Sequence, residues 1–317
     1  MKLVIMIPCL NEETTLPLTL ATIPTKINGI SDIDIVVIND GSTDRTLEVA
    51  KKLGVKHFVN HPKNRGLAMS LRDGIRKALE LGADILVLTD GDNQYPQERI
   101  PDLVEPIVNG RSDIVIADRQ THKIDHFSPS KKFLQKFGTL VLNLVAGTSI
   151  PDATSGFRAY SKEAAIKLNL VGRFNFAMET TVQASYKRLA IGTITIETNP
   201  KTRESRLFKS SWEHVRKSSI ALFNAFTMYK AYMVFIALGV ILLISGLIPF
   251  AHYLFLVLTN NKTAYGAHHL QSLIVGTVLL NAAFICFTLG VIANLIRINR
   301  SMLEDILEEQ RRHQYGD

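Results

Sequence analysis

Residues 84–96 read DILVLTDGDNQYP. A short apolar run, rich in β-formers and without alternation, ends on two carboxylates separated by one glycine. An unbroken apolar strand suits the interior of a parallel sheet covered on both faces. In such sheets ligands sit just beyond the carboxyl ends of the strands, where Asp90 and Asp92 stand. Working outward, comparable runs occur at Lys2–Ile7, Ile33–Ile38, Lys56–Val59 and Asp113–Ala117. Helical stretches separate them at about 13–21, 43–53, 66–81 and 96–109. Alternation of this kind predicts an α/β domain with a mostly parallel sheet. Its strand-exit loops are Pro8–Glu12, Asn39–Ser42, His61–Gly66 and Thr89–Gln94, three of which carry a carboxylate. Neither G-x-G-x-x-G nor G-x-x-x-x-G-K-[ST] occurs, which removes the main support for a dinucleotide or P-loop site.

The chain has 317 residues, 46% of them hydrophobic, and a net charge of +7. Disorder is excluded by the abundance of Val, Ile and Leu. Two cysteines, Cys9 and Cys286, make no disulfide scaffold or cysteine metal knuckle, so a reducing compartment is expected. The charge is unevenly spread. Residues 1–110 hold 12 basic and 15 acidic side chains, residues 111–230 hold 19 and 9, and residues 231–317 hold 5 of each. A surplus of +10 immediately before the most apolar third points to membrane headgroups or an anionic substrate, not to nucleic acid.

No Asp, Glu, Lys or Arg occurs in the 31 residues between Lys230 and Lys262, or in the 34 between Lys262 and Arg297. A transmembrane helix needs roughly 20 apolar residues, so spans are expected at 231–258 and 270–296, joined by a loop at 259–269. Trp212, Val215, Ser219, Leu222, Phe226 and Tyr229 recur at helical spacing beside lysines and arginines. This predicts an amphipathic interfacial helix at 209–230, between a domain at 1–208 and the first span. Basic residues flank the outer ends of the hairpin, and its loop carries only Lys262. By the positive-inside rule the catalytic domain, both termini and a tail at 297–317 are cytosolic in an integral membrane protein. Met1–Leu10 turns polar too soon for a signal peptide and reads as a strand.

Asp90 and Asp92 can reach one hard divalent cation, Mg²⁺ or Mn²⁺, with Gln94 adding a neutral oxygen. An EF-hand is excluded because its sixth position would be Tyr95 instead of glycine. A bare D-x-D is equally compatible with a solvated turn or a helix cap. Asp40 ends the second strand and is a candidate acceptor for base or ribose donors, although Ser42 or Thr43 as a plain N-cap explains the same motif.

Taken together, IPCLNEE, VVINDGSTDRTLEVA, NHPKNRGLAMSLRDGI, LTDGDNQYP and DATSGFRAYS occur in an order that resembles the family 2 glycosyltransferases of GT-A (Rossmann-like) fold. Within them the chain is similar to polyprenyl-phosphate glycosyltransferases, the dolichol-phosphate mannose synthase group, over about residues 2–210. The resemblance implies that Pro8, Leu10, Glu12, Asp40 and Asp90 hold the nucleotide, and that Asp90, Asp92 and Gln94 hold the metal and diphosphate. It implies that Arg119 faces the acceptor phosphate, with Ser155, Arg158, Arg203, Arg206 and Lys209 as further acceptor-side elements. Asp92 and Arg119 carry the chemistry in this reading. Two departures stand out: DGD replaces the common DAD, a change expected to be harmless, and Arg203-Glu204-Ser205-Arg206 replaces an arginine followed by glycine, serine and lysine.

The implied reaction moves a hexosyl unit from a nucleoside-diphosphate sugar to a polyprenyl or dolichyl phosphate, with inversion. A phosphate monoester has its second pKa near 6, so the nucleophile is already ionised and needs no general base. Glu179, on an expected helix, is assigned to the sugar pocket, against the alternative of a solvated helical carboxylate. For Arg119 the alternative is an ion pair with Asp118 or Asp152. His61, His122 and His126 lack metal-ligand spacing, and Lys131, Lys132 and Lys136 also fit a solvated helical face. A processive polysaccharide synthase of the same fold would need more spans and a Gln-x-x-Arg-Trp element, and Trp212 is the only tryptophan. A non-catalytic nucleotide-sugar scaffold on the membrane is the rival from another class. Self-association into a homo-oligomer is left open.

Overall fold

The computed structural model describes residues 1–121, 129–170, 176–200, 211–259 and 267–316, the side chains of 129–131, 133–134, 145, 211–230 and 267–269 apart. The side chains of His122, His126, Lys131, Arg203, Arg206, Lys209 and Trp212, singled out in the sequence, therefore lie outside the described residues. The chain divides into two compact units, residues 1–225 with 307–317, and residues 226–306.

In the first unit, β1 (Lys2–Cys9), β2 (Asp32–Asp40), β3 (His57–His61), β4 (Ile85–Leu88) and β5 (Ile114–Asp118) realise the five expected strands. Between them lie α1 (Leu16–Ala21), α2 (Thr46–Lys52), α3 (Leu67–Glu80) and α4 (Ile100–Val108). Two further strands, β6 (Arg158–Ser161) and β7 (Ile191–Thr195), complete a seven-stranded sheet of order β3-β2-β1-β4-β6-β5-β7. All pairings are parallel except those of β6 with β4 and β5. Leu3 to Ile7 and Ile85 to Leu88 are buried throughout, as expected for strands with helices on both faces.

Two consequences of this order position the site. β1 lies between β2 and β4, so the chain leaves it in both directions, and the crevice at such a switch point is where open α/β sheets take ligands. Antiparallel β6 begins where its neighbours end: Arg158 pairs with Leu88 of β4 and with Ile116 of β5. The Ser155–Arg158 motif is thereby delivered to the edge that carries Asp90 and Arg119. The remaining helices of this unit include α5 (Pro129–Ala146), α6 (Lys162–Lys167) and α7 (Phe176–Tyr186).

The second unit consists of most of α8 (Ser211–Leu258) and α9 (Ala267–Tyr315). Their apolar segments, beginning at Ala231 and Leu270, have mean hydropathies of 2.6 and 2.2, and few of their residues are buried. The two helices approach closely through glycines: a Cβ at Gly246 would stand 3.1 Å from the Gly276 carbonyl oxygen, and one at Gly276 would stand 2.9 Å from that of Gly246. Small residues at such crossings typify helix pairs in lipid. The backbone is helical without interruption from Ser211 to Leu258, so no break separates the expected interfacial segment from the first span. The tail at 297–317 is likewise helical, as a continuation of α9. Its end belongs to the first unit, where Arg311 donates to the carbonyls of Ile166 (3.1 Å) and Leu168 (2.7 Å) at the end of α6. Arg312 forms a forked pair with Glu163, and Lys187 meets Glu308 at 3.5 Å.

Candidate active site at the strand carboxyl ends

The loops after β1 and β2 are stitched together. Asn11 N–H donates to Ser42 Oγ (3.0 Å), Glu12 N–H to Thr46 Oγ1 (2.7 Å), and Thr43 N–H to Asn11 Oδ1 (2.7 Å). This corrects the N-cap reading of Ser42 and Thr43. Helix α2 starts only at Thr46, whose N–H donates to Asp44 Oδ1 (2.9 Å). Ser42 and Thr43 serve instead to fix the first loop, and with it Pro8, Leu10 and Glu12. Asp40 is buried, and both of its oxygens accept: Oδ1 from Arg65 N–H and Oδ2 from Gly66 N–H, each at 2.9 Å. His61 Nδ1 lies 2.7 Å from Asp40 Oδ1, and its Nε2 lies 3.2 Å from Asp73. Asp40 thus braces the loop after β3, a role the sequence did not foreshadow. Gly41 permits this folding-over: its φ is +75°, and a Cβ there would stand 2.5 Å from the Lys63 backbone.

The Asp90–Gln94 loop packs onto the same place. Asp92 accepts from the Gln94 N–H (3.2 Å) and from its side-chain Nε2 (2.9 Å), which leaves the amide oxygen Oε1 as the group of Gln94 able to ligate. A Cβ on Gly91 would lie 2.9 Å from Cys9 Sγ and 3.5 Å from both Glu12 Cγ and the Pro8 carbonyl oxygen. In this chain a methyl at position 91 would crowd the buried Cys9 sulfur, and the glycine of DGD avoids that contact. Burial pushes the Cys9 thiol well up, and Glu12, Asp90, Asp44 and Asp92 push it further. The loops after β1, β2 and β4 thus gather carboxylates at one end of the sheet. An anionic diphosphate placed there meets repulsion unless a cation intervenes. Among the described residues no group of three or more His, Cys, Asp or Glu forms a full cage. The donors present are two carboxylates and an amide oxygen, which suits a hard cation that completes its shell with substrate phosphates.

Asn199 and Tyr95 were not singled out in the sequence, yet they hold this loop. Asn199 donates through Nδ2 to the carbonyls of Asn93 (3.0 Å) and Tyr95 (3.3 Å), and through its backbone N–H to Gln94 (2.9 Å). Tyr95 Oη accepts from the Gly156 N–H at 2.9 Å, and the Tyr95 ring stacks on Phe157 at 5.1 Å. A Cβ on Gly156 would lie 3.5 Å from an Asp90 oxygen, so the loop before β6 presses directly on the first carboxylate. No local signal marks these contacts, because their partners are dozens of residues apart.

After β5 Arg119 forms the ion pair with Asp152 that the sequence left as its alternative: Nε to Oδ2 at 2.7 Å and Nη2 to Oδ1 at 3.0 Å, with Thr154 Oγ1 at 2.8 Å. Its side chain is 16% exposed against 3% for Asp152, so the guanidinium sits at the rim of a buried pair. Burial pushes the Asp152 carboxyl up, but the Arg119 charge outweighs it and holds the group below the ordinary carboxylate range. Arg158 requires a correction. It is wholly buried and donates to the carbonyls of Ser155 (2.8 Å), Ala177 (3.0 Å) and Ala153 (2.8 Å) and to the hydroxyls of Thr180 (3.0 Å) and Thr181 (3.1 Å). The guanidinium fastens β6 to α7 from inside and is not presented to an acceptor. Ser155 is also fully buried. Glu179 is only 9% exposed on α7, which removes the solvated alternative.

A family model described as "Glycosyl transferase family 2" matches residues 4–168. The dolichol-phosphate mannosyltransferase of Pyrococcus furiosus is 31% identical over 225 residues, which cover 68% of this chain and 62% of that protein. The undecaprenyl-phosphate mannosyltransferase of Micrococcus luteus is 29% identical over 176 residues, which cover 54% of this chain and 70% of that protein. Among solved structures, glucosyl-3-phosphoglycerate synthase from Mycobacterium tuberculosis, crystallised with Mn²⁺, UDP-glucose and phosphoglyceric acid, superposes with a TM-score of 0.54 at 18% identity. It covers 71% of this chain and 79% of that one. At that identity the likeness establishes the GT-A fold alone.

Proposed function

The chain belongs to glycosyl transferase family 2, and on that premise we propose that it transfers a hexosyl unit from a nucleoside-diphosphate sugar to the phosphate of a membrane polyprenol. The observation that carries the reading is the packing of the Asp90–Gln94 loop against Pro8, Cys9 and Glu12 at the switch between β1 and β4, with Arg119 following β5 on the same edge of the sheet. Asp90, Asp92 and Gln94 would hold a divalent cation, which when bound offsets the negative charge that grows on a departing nucleoside diphosphate. The stitched loops after β1 and β2 shape the nucleotide site, and Glu179 lies on the helix that Arg158 fastens to the sheet. Arg119, its Nε and Nη2 edge held by Asp152 and Thr154, keeps Nη1 and a permanent charge at the rim with which to orient a phosphate without deprotonating anything. With an ionised phosphate as nucleophile, one in-line displacement inverts the anomeric centre.

Membrane attachment completes the proposal. The apolar flanks of α8 and α9 expose Ile244 (58%), Val278 (63%) and Phe284 (72%), an exterior suited to lipid. Both ends of the hairpin connect to the first unit, since residues 307–317 return to it. That return supports a cytosolic side shared by the catalytic domain and both termini. The similarity of the chain to enzymes named for dolichol and undecaprenyl phosphates supports the acceptor class. The test is turnover of labelled nucleotide sugar into a chloroform-soluble product by purified protein supplied with one polyprenyl phosphate. Product should form with Mg²⁺ or Mn²⁺, vanish in excess chelator, and fall by orders of magnitude in Asp92→Asn. Donor binding without turnover over a panel of sugars would favour the scaffold reading, and a growing polymer would favour the synthase.

A further inference from the structure

The last turns of α9 are tied to the helix that carries Glu179. Residues 307–317 belong to the first unit, and Arg311 grips the segment that leaves α6. Beyond the carbonyls of Ile166 and Leu168, it donates through Nη2 to Asn169 Oδ1 at 3.3 Å. The backbone of Asn169 in turn faces Gln183 on α7. Its N–H donates to Gln183 Oε1 at 2.7 Å, and its carbonyl accepts from Gln183 Nε2. The same Nε2 donates to Glu179 Oε1 at 3.5 Å, one turn earlier on the same face of α7. Gln183 is 0% exposed, so every polar atom of its amide needs a partner, and each has one. Reversing the amide would set its oxygen against the Asn169 carbonyl and the Glu179 carboxylate, so hydrogen bonding alone fixes its orientation.

We infer that Arg311, Asn169 and Gln183 are positioning residues for the proposed transfer, a relay through which the end of α9 aims the Glu179 carboxylate at the hydroxyls of the donor sugar. A buried carboxylate stays where the donors around it are aimed, and Gln183 is such a donor. Gln183 is held by the Asn169 backbone, and the segment 166–169 is gripped at three oxygens by one guanidinium. A cation at the carboxyl end of α6 suits both its open carbonyls and its dipole. The planar fork of arginine spans acceptors that a compact ammonium does not reach together. Arg158 anchors the backbone of α7 at Ala177, whereas the relay acts on the carboxylate itself. This inference rests on the assignment of Glu179 to the sugar pocket and deepens it.

The test uses the full chain in detergent with a polyprenyl phosphate, Mg²⁺ and a panel of labelled UDP- and GDP-hexoses. It follows turnover to lipid product, binding of bare UDP or GDP by calorimetry, and Tm. Glu179→Gln should lower kcat/KM for the nucleotide sugar about ten- to a hundredfold, with affinity for the bare nucleoside diphosphate unchanged. Unaltered turnover in that variant, or no product from any donor, refutes the sugar-pocket reading by itself. Arg311→Gln should lower kcat about tenfold, again without loss of nucleoside-diphosphate affinity. Placed on Glu179→Gln it should cost less than about twofold more, because both changes act on one contact. Should Arg311→Gln fail to fold, Asn169→Ala carries the same cycle, since it removes the tie to Arg311 and keeps the backbone bonds to Gln183. A full effect of Glu179→Gln beside losses that simply multiply in the double variant overturns the relay. So does a lowered Tm with turnover intact, which would leave Arg311 a purely structural clasp.

Discussion

Gly91→Ala offers a sharp trial of the site geometry. The backbone of Gly91 lies outside the left-handed region, so alanine is conformationally acceptable and by itself would restrict the unfolded chain, a gain of about 0.4–1 kcal/mol. Space decides the matter. The new methyl would stand 2.9 Å from Cys9 Sγ, where an ordinary contact needs about 3.5–4.0 Å. Cys9 is 2% exposed within the core, so the loop or the sulfur must yield by about half an ångström. Overpacking of this kind costs about 1–3 kcal/mol, giving a net loss of roughly 0.5–2 kcal/mol. In a domain of this size that is a fall of about 2–6 °C in Tm. Because the displaced loop carries Asp90 and Asp92, kcat should fall about tenfold, given that 1 Å of misplacement can cost about a hundredfold. Cys9→Ala removes the obstructing sulfur, so the double variant should recover most of both losses, with a coupling of about 1–2 kcal/mol. The assays are thermal unfolding in detergent and lipid-product turnover on all four members of the cycle. Strict additivity would refute the proposed packing of the DGD loop on β1.

Arg119→Ala should lower stability by about 3–5 kcal/mol at neutral pH, because Asp152 is left as an uncompensated buried carboxylate. Adding Asp152→Asn should restore part of the Tm but not acceptor turnover, and an unrescued Tm would show that the pair is not the cause. Asn199→Ala should raise the divalent-cation concentration for half-maximal activity about five- to tenfold, through loss of two side-chain hydrogen bonds of about 1 kcal/mol each. Unchanged cation dependence would show that Asn199 does not position the metal loop. Arg312, aided by Lys167, holds the Glu163 carboxyl down to about 2. Since a depressed carboxylate stabilises above its ordinary pKa, the clasp on the end of α9 should be complete above about pH 4.5 and weaken only as pH falls toward 2. The pair is substantially exposed, so its worth is about 0.2–1 kcal/mol. Fluorescence anisotropy of a label at Tyr315→Cys should report release only at the acid end, and release near pH 6 would contradict the assignment.

The sequence alone determined the features that recur locally along the chain. Five strands were legible because unbroken apolar runs alternate with helical periodicity, and the strand-exit carboxylates at Asp40, Asp90 and Asp92 followed from where those runs stop. The two long apolar helices were legible because absence of charge over 31 and 34 residues is itself a local pattern. Tertiary structure decided what depends on partners distant in the chain. β6 is four residues long and runs antiparallel between β4 and β5, so although the DATSGFRAYS motif drew attention to Ser155 and Arg158, no local pattern announced the strand that carries them to the site edge. Arg158 looks like any other basic residue until its guanidinium is found among the carbonyls of Ala153, Ser155 and Ala177. A cation gains there from five fixed oxygen acceptors what it would otherwise take from water. The same holds for Gly91 against Cys9, Asn199 beneath the Asp90–Gln94 loop and Arg311 at the end of α6. Each is a steric or hydrogen-bonding fit between segments whose meeting is set by the folding of the whole sheet, and such a fit leaves no period to read.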